Sequence, residues 1–494
     1  MKTNKLKLLP VLLLALALSY LSCQKDISKS IPGLSFKHGA MVRAANEAVS
    51  LWVTSGDQSK LLQPQPGINF AADAGTNKTT VTVDENTTYQ GIDGFGYCLT
   101  GGSATLINQL SSAQGDSLLH ELFLTGPNQI GVSYLRISLG ASDLSASDFT
   151  YDEVPAGQTD VNLANFSISQ ELTDLVPVLK RIIALNPTIK ILACPWTPPT
   201  WMKSNNSFKG GRLNTAYYDA YARYFVKYIQ AMKAQGITID AVTPQNEPLN
   251  PNNNPSLLMY AQEEANFIKN NLGPQFQTNS ITTKIIAYDH NCDHPDYPDS
   301  VLADVNANPY VNGSAFHLYA GAITALSTVH TNYPAKDLYF TEQYTSSTAS
   351  FSGDLSWHVN NLIIGAPRNW SRNVLEWNLA SDPNYGPHTS GGCTTCKGAL
   401  TIGGTSITRN VSYYIIAHAA KFVRPGAVRI SSNTFSGGIQ DVAFKNPDGS
   451  KVVIALNTGH TSQTFKLKWG SESFSYTLPV GNVVTFKWSG TQSL

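Results

Sequence analysis

The sequence predicts an α/β protein, a (β/α)8 TIM barrel with an attached antiparallel β-sandwich formed by the N-terminal and C-terminal segments. Three observations predict it. From about residue 92 to 420, short apolar runs alternate with helix-patterned stretches, as a parallel barrel requires. Eight such runs can be counted, the number that closes an eight-fold barrel. After about Arg424, and again over residues 49–90, the pattern changes to short runs in which apolar and polar residues alternate, as in a half-buried sheet.

Taken in order, residues 1–23 read as an export leader. Lys2, Lys5 and Lys7 precede an apolar run over 8–18, then small residues and Cys23. That run is shorter than the roughly 20 residues that span a bilayer. Leu21-Ser22-Cys23 resembles a bacterial lipoprotein cleavage site with Cys23 as the acylated first residue, although Tyr20 departs from the usual aliphatic residue. Ordinary secretion with loss of Cys23 is the alternative. Residues 24–48 are then a polar tether. The expected location is the outer membrane or cell surface, otherwise the periplasm or medium, with membrane contact through the lipid only.

Residues 49–90 are expected to open the sandwich, with strands near 50–54 and 79–83. The barrel is expected over 91–423, with strands at 92–98, 132–138, 190–195, 240–246, 284–288, 314–319, 338–342 and 373–379. Its clearest helix is 215–235, where Tyr217, Tyr221, Tyr224, Tyr228 and Met232 recur at three- and four-residue spacing. Asn214 suits its N-cap and Gly236 its stop. Such a tyrosine stripe is expected to pack on the barrel rather than stack on sugars. Residues 424–494 complete the sandwich, with Asn446-Pro447-Asp448-Gly449 as a turn between two strands.

Composition narrows the function. The 494 residues carry 34 Lys+Arg and 34 Asp+Glu, and only 14% are charged while 10% are aromatic. Nothing there forms the basic face of a nucleic-acid binder; neutral polar ligands suit such a surface. Cys393-Thr394-Thr395-Cys396 could be redox-active, half a zinc site or a local disulfide. Without a second cysteine pair, and in an exported chain, the disulfide is expected. Cys98 and Cys194 sit in apolar runs as buried thiols.

Barrel enzymes place their chemistry at the C-terminal ends of strands. Arg136 closes strand two, Trp196 follows strand three, and Asn246 and Glu247 end strand four. His317 and Tyr319 end strand six as candidate substrate contacts, Glu342 ends strand seven, and Trp377 ends strand eight. Two carboxyl groups at one mouth suit glycosidic bond cleavage, one as proton donor and one as nucleophile. Glu247 is the candidate acid/base, with a pKa expected to be raised by burial and carboxylate repulsion. Glu342 is the candidate ionised nucleophile, held by Arg136. Asn246 can bond a sugar 2-hydroxyl, and Trp196 and Trp377 offer flat walls.

These stretches together resemble glycoside hydrolase family 30, the retaining β-glycosidases that include glucosylceramidases and endo-β-1,6-glucanases. The carriers are LWVTSGDQSKLL at 51–62, GIDGFGYCLT at 91–100, LRIS at 135–138, CPWTPPTW at 194–201, RYFV at 223–226, VTPQNEP at 242–248, FHLY at 316–319, FTE at 340–342 and EWNLA at 376–380. The resemblance implies the barrel and sandwich, retention of configuration, Glu247 as acid/base and Glu342 as nucleophile. It also implies Asp143, Trp196, Asn246 and Trp377 around the sugar at the cleaved bond. Thr100-Gly101-Gly102, where glucosylceramidases tend to carry an aspartate after the threonine, and Gln343-Tyr344 look more like the β-1,6-glucanase branch.

Asp289-His290-Asn291-Cys292-Asp293-His294 has metal-ligand residue types but no familiar zinc spacing; as the loop after strand five it suits a subsite wall. No Gly-x-Ser-x-Gly elbow occurs. Neither a metal nor a cofactor is expected. The reading is a monomeric, extracellular, retaining endo-β-1,6-glucanase acting on β-glucan. Its rivals are an exo-β-glucosidase or glucosylceramidase-like enzyme, and a surface glycan-binding lipoprotein without turnover.

Overall fold

A computed structural model describes residues 47–75, 79–435 and 438–492. Eight parallel strands close a barrel: β1 Gly94–Cys98, β2 Tyr134–Ser138, β3 Lys190–Cys194, β4 Ala241–Val242, β5 Lys284–Cys292, β6 Val311–Gly321, β7 Asp337–Glu342 and β8 Ser371–Asn378. β8 pairs with β1 to complete the ring. Side chains alternate as the pleat demands: Leu135 and Ile137 of β2 join the outer core under the helices, and Tyr134 joins the inner one. The inner cluster stacks Leu192, Cys194, Ile286, Ala315, Tyr339 and Leu375, so the barrel is packed rather than hollow.

β4 is shorter than expected. Pro244 has no N–H to give to a ladder, so regular pairing ends at Val242. The chain continues beside β3 nonetheless, with Thr243 N–H donating to Ala193 O (3.2 Å) and Asn246 N–H to Pro195 O (2.8 Å). β5 runs four residues beyond the expected Tyr288, and this extension shapes the site.

The tyrosine-rich helix is α-helical over Tyr218–Ala234 after a 3-10 turn, Thr215–Tyr217. The Asn214 side chain accepts the Ala216 N–H (3.1 Å), and Gly236 leaves the helix at φ 81°. Tyr221, Tyr224, Tyr228 and Met232 are fully buried, so the stripe packs against protein.

The second layer is one ten-stranded sheet that contains strands from both ends of the described residues. Ala48–Thr54 pairs with Val483–Trp488, and Thr79–Gly91 pairs with Val428–Ser432. One face encloses a core around Phe70, Val81, Phe465, Trp469, Phe486 and Trp488. The other face, with Val442, Phe444, Val452, Ile454 and Leu456, merges into the barrel's outer core. Lys451–Asn457 is accordingly buried along its whole length and reads as a nearly continuous apolar run. The expected turn joins it to Ile439–Lys445, with Gly449 at φ 80°. One pairing departs from the antiparallel expectation: Thr79–Val83 lies parallel to Phe465–Trp469. These segments come from opposite chain ends, so no hairpin forces them antiparallel. Cys23 and nearly all of the expected tether lie outside the described residues.

Candidate active site

Two local irregularities aim the key side chains. β6 pairs Phe316 with Phe340 and then His317 with Glu342, so Thr341 is an extra residue and both Thr341 and Glu342 reach the barrel mouth. On β5 the register also shifts by one between Tyr288 and His290, with Tyr288 at φ 77° and Asp289 at φ 68°. Glu247 itself has φ 44°, a left-handed backbone that costs a non-glycine residue about 1–3 kcal/mol. It is held there by bonds on both sides: its N–H donates to Asp289 O (3.0 Å), and its carbonyl accepts from Asn250 N–H (2.8 Å).

Arg136, fully buried, is the hub. Its Nη1 donates to Glu342 Oε2 (2.5 Å), and its Nη2 to Asp289 Oδ2 (2.8 Å) and Asn246 Oδ1 (2.6 Å). Arginine only donates, so the Asn246 oxygen must face it and the amide NH2 is left to meet a ligand hydroxyl. The guanidinium also lies 4.8 Å from the Trp196 ring and 5.7 Å from that of Trp377. The two indoles themselves are 5.4 Å apart and tilted by 33°. Tyr319 hydroxyl donates to Glu342 Oε1 (2.9 Å), so each nucleophile-candidate oxygen has a donor.

His317 lies beneath this layer with no exposure, its Nδ1 3.2 Å from Glu247 Oε1 and 3.8 Å from Glu342 Oε1, its Nε2 3.1 Å from Asp289 Oδ1. It was expected among the sugar contacts; here it touches the two glutamates instead of the open cavity. Burial alone would depress its pKa, but Glu342, Asp289 and Glu247 carry it up to about 9. Glu247 departs from expectation as a result. Burial does push its carboxyl up, as reasoned from the sequence, but the hydrogen bond and charge of His317 outweigh that and bring it to about 2. The reason is the imidazole that lies under the acid. Burial raises Glu342 above the ordinary carboxylate range, with His317 and Arg136 pulling the other way. The three groups are close enough to titrate as one system.

A cavity of about 450 Å³ opens above them, lined by Asp143, Trp196, Glu247, Tyr319, Glu342 and Trp377, with His290, Asn291, Tyr344 and the Gly391–Cys393 backbone around the edge. One ligating atom each from Glu247, His317 and Glu342 lie within 4.8 Å of one another, so the two carboxylates are close enough to act on one bond, the close approach that retention needs. The same trio has metal-ligand chemistry, but His317 Nδ1 already faces Glu247. A larger groove, about 940 Å³ around Trp52, Leu61, Arg409 and Phe422, has no such pair: its carboxylate, Glu121, is bound by Arg409 and the Tyr413 hydroxyl.

Of the residues assigned to the chemistry, Asp143, Trp196, Glu247, Tyr319, Glu342 and Trp377 line this mouth, Arg136, Asn246 and His317 are bonded to that group, and Cys393 and Cys396, joined as a disulfide, border it. Asp289 was missed. It accepts from Arg136, from Thr243 Oγ1 (2.8 Å) and from Thr341 Oγ1 (2.6 Å), and contacts Cys194 Sγ at 3.0 Å. The signal is present in the sequence, since a polar residue at the end of an apolar strand also marks Arg136, Glu247, His317 and Glu342; the expected β5 stops at Tyr288, one residue short of Asp289. Of the rest of that run, His290 and Asn291 line the cavity while His294 is exposed beside Asp296.

Residues 92–423 match the glycosyl hydrolase family 30 TIM-barrel domain, and residues 426–486 match the family's beta sandwich domain. The chain belongs to glycosyl hydrolase family 30. Among its family relatives, an endo-1,6-beta-D-glucanase of Trichoderma harzianum is 35% identical over 91% of this chain and 93% of its own length. An endo-1,6-beta-D-glucanase of Neurospora crassa is 36% identical over 84% of this chain and 90% of its own. A solved endo-beta1,6-glucanase superposes with a TM-score of 0.82 at 36% identity, covering 90% of this chain and all of that one.

Proposed function

We propose that this family 30 protein is a retaining endo-β-1,6-glucanase acting on external β-glucan. The observation that carries the chemistry is the approach of Glu247 and Glu342 within 4.8 Å over one cavity, each with distinct donors. What supports the linkage is the likeness to β-1,6-glucanases over most of the chain.

In this reading Glu342, ionised by its Arg136 and Tyr319 donors, attacks the anomeric carbon. The bond to the leaving sugar breaks, and Glu247 gives that oxygen a proton. Glu247 then takes a proton from water, whose oxygen displaces Glu342 and restores the original configuration. The acid's proton rests on His317 in the open site, one short transfer from Glu247 Oε1. A bound sugar excludes water and favours moving it, because neutral acid and neutral imidazole replace two buried charges. Asn246 meets the 2-hydroxyl, and Asp143, Trp196 and Trp377 surround the ring. The protein acts as a monomer, tethered through acylated Cys23.

The test is a product profile on a linear β-1,6-glucan against an aryl β-glucoside. Oligosaccharides released early with a falling polymer length are expected; glucose as the sole early product overturns endo action.

A further inference from the structure

The segment after β8 does more than border the cavity. Thr389 N–H donates to the main-chain oxygen of Asp143 (2.9 Å), and its hydroxyl to Asn254 O, 2.6 Å away in the loop after Glu247. Asn254 Nδ2 answers to Ser390 O (2.9 Å). On the far side of the disulfide, Ser346 and Thr345, just beyond the nucleophile candidate, pair as strand with Cys396 and Lys397. One short segment thus ties together the loops that follow β2, β4 and β7.

Its centre touches the sugar-facing carboxylate directly. Cys393 N–H donates to Asp143 Oδ2 (3.3 Å), and a Cβ on Gly392 would lie 2.4 Å from the Asp143 carbonyl oxygen, so only glycine permits this approach. From the other side, Gly102 N–H donates to Leu144 O (2.8 Å), and a Cβ there would meet that oxygen at 2.7 Å. Both half-cystines pack with Leu144, Trp196 and Trp377. Asp143 is only 5% exposed, and its carboxyl is pushed up to about 7 by burial and by Glu342, against which the Cys393 N–H is the opposing donor.

We propose that the Cys393–Cys396 disulfide is a positioning device for substrate recognition: it holds the Cys393 amide and the Gly391–Gly392 backbone in the shape that fixes Asp143 in the sugar pocket. This rests on the glycosidase reading of the site. Partial loss of Asp143 placement should weaken sugar binding about tenfold while leaving the glutamate pair intact.

The experiment measures the Kd of a glucose-configured iminosugar, together with KM and kcat on an aryl β-glucoside. The proteins are wild type, Cys393→Ser/Cys396→Ser, Gly392→Ala, Asp143→Asn and the combined variants. The expected result for the cysteine variant is a Kd and KM raised about tenfold, with the loss falling on KM more than on kcat, and no further loss when it is combined with Asp143→Asn. Gly392→Ala should reproduce the effect with the disulfide intact. Should the cysteine variant fold poorly, reduction of wild type and reoxidation should switch Kd reversibly; Cys98, Cys194 and Cys292 are buried thiols and form no disulfide. A Kd unchanged on removal of the disulfide, or losses that simply add to those of Asp143→Asn, overturns the proposal. Absence of any hydrolysis by wild type would instead count against the glycosidase reading, and the Kd would still decide this one.

Discussion

Replacing His317 by glutamine removes the cation that holds Glu247 ionised and the proton that the acid would use. In the wild type that proton stays in the site until pH rises through about 9, the value to which Glu342, Asp289 and Glu247 lift His317 against its burial. The basic limb of kcat/KM for the free enzyme should therefore fall near 9, above the range of an isolated glutamic acid. In His317→Gln the acid must keep its own proton. Burial still raises Glu247, but no imidazole stores a proton beside it, so the basic limb moves to lower pH. At pH 8 the variant has lost its general acid and kcat should fall by about 10²-fold or more, within the usual worth of such catalysis. The assay is the pH profile of kcat/KM on an aryl glucoside and on one with a poor leaving group. The poor leaving group should suffer more, because it depends on protonation. An unshifted basic limb in the variant would refute the shared-proton account.

Other outcomes follow from the same contacts. Glu247→Gln and Glu342→Gln should each lower kcat on an unactivated glucan by about 10³-fold or more, with both proteins folded by circular dichroism. Arg136→Met leaves two buried carboxylates without their shared cation and should cost about 3–5 kcal/mol in denaturant melts. Because the folded-state pKa of His317 is raised, its charge stabilises the fold fully below about 6.5 and stops doing so as pH rises to about 9. The Tm gap between wild type and His317→Gln should thus narrow across that interval.

Much of this was legible in the sequence because strand periodicity and the barrel's polarity are local signals. An apolar run ending in Arg136, Glu247, His317, Glu342 or Trp377 names both a strand and its chemical end. What escaped depends on irregular backbone. Pro244 shortens β4, an extra residue at Thr341 lets its neighbour Glu342 face inward, and the left-handed Tyr288–Asp289 pair swings a carboxylate under the site. The direction of the Glu247 shift escaped for a related reason. It depends on a 3.2 Å contact to His317 across 70 residues of chain, which no spacing along the sequence encodes.

The central claim is that Glu342 attacks a sugar carbon while Glu247 works on the same bond. It is tested most directly by incubating the protein with an activated 2-deoxy-2-fluoro-β-glucoside, then measuring intact mass and mapping peptides. The account predicts one fluoroglucosyl adduct, on the peptide that contains Glu342, and accumulation of that adduct in Glu247→Gln. An adduct on another residue, or hydrolysis of the natural linkage with inverted product and no adduct, would contradict it.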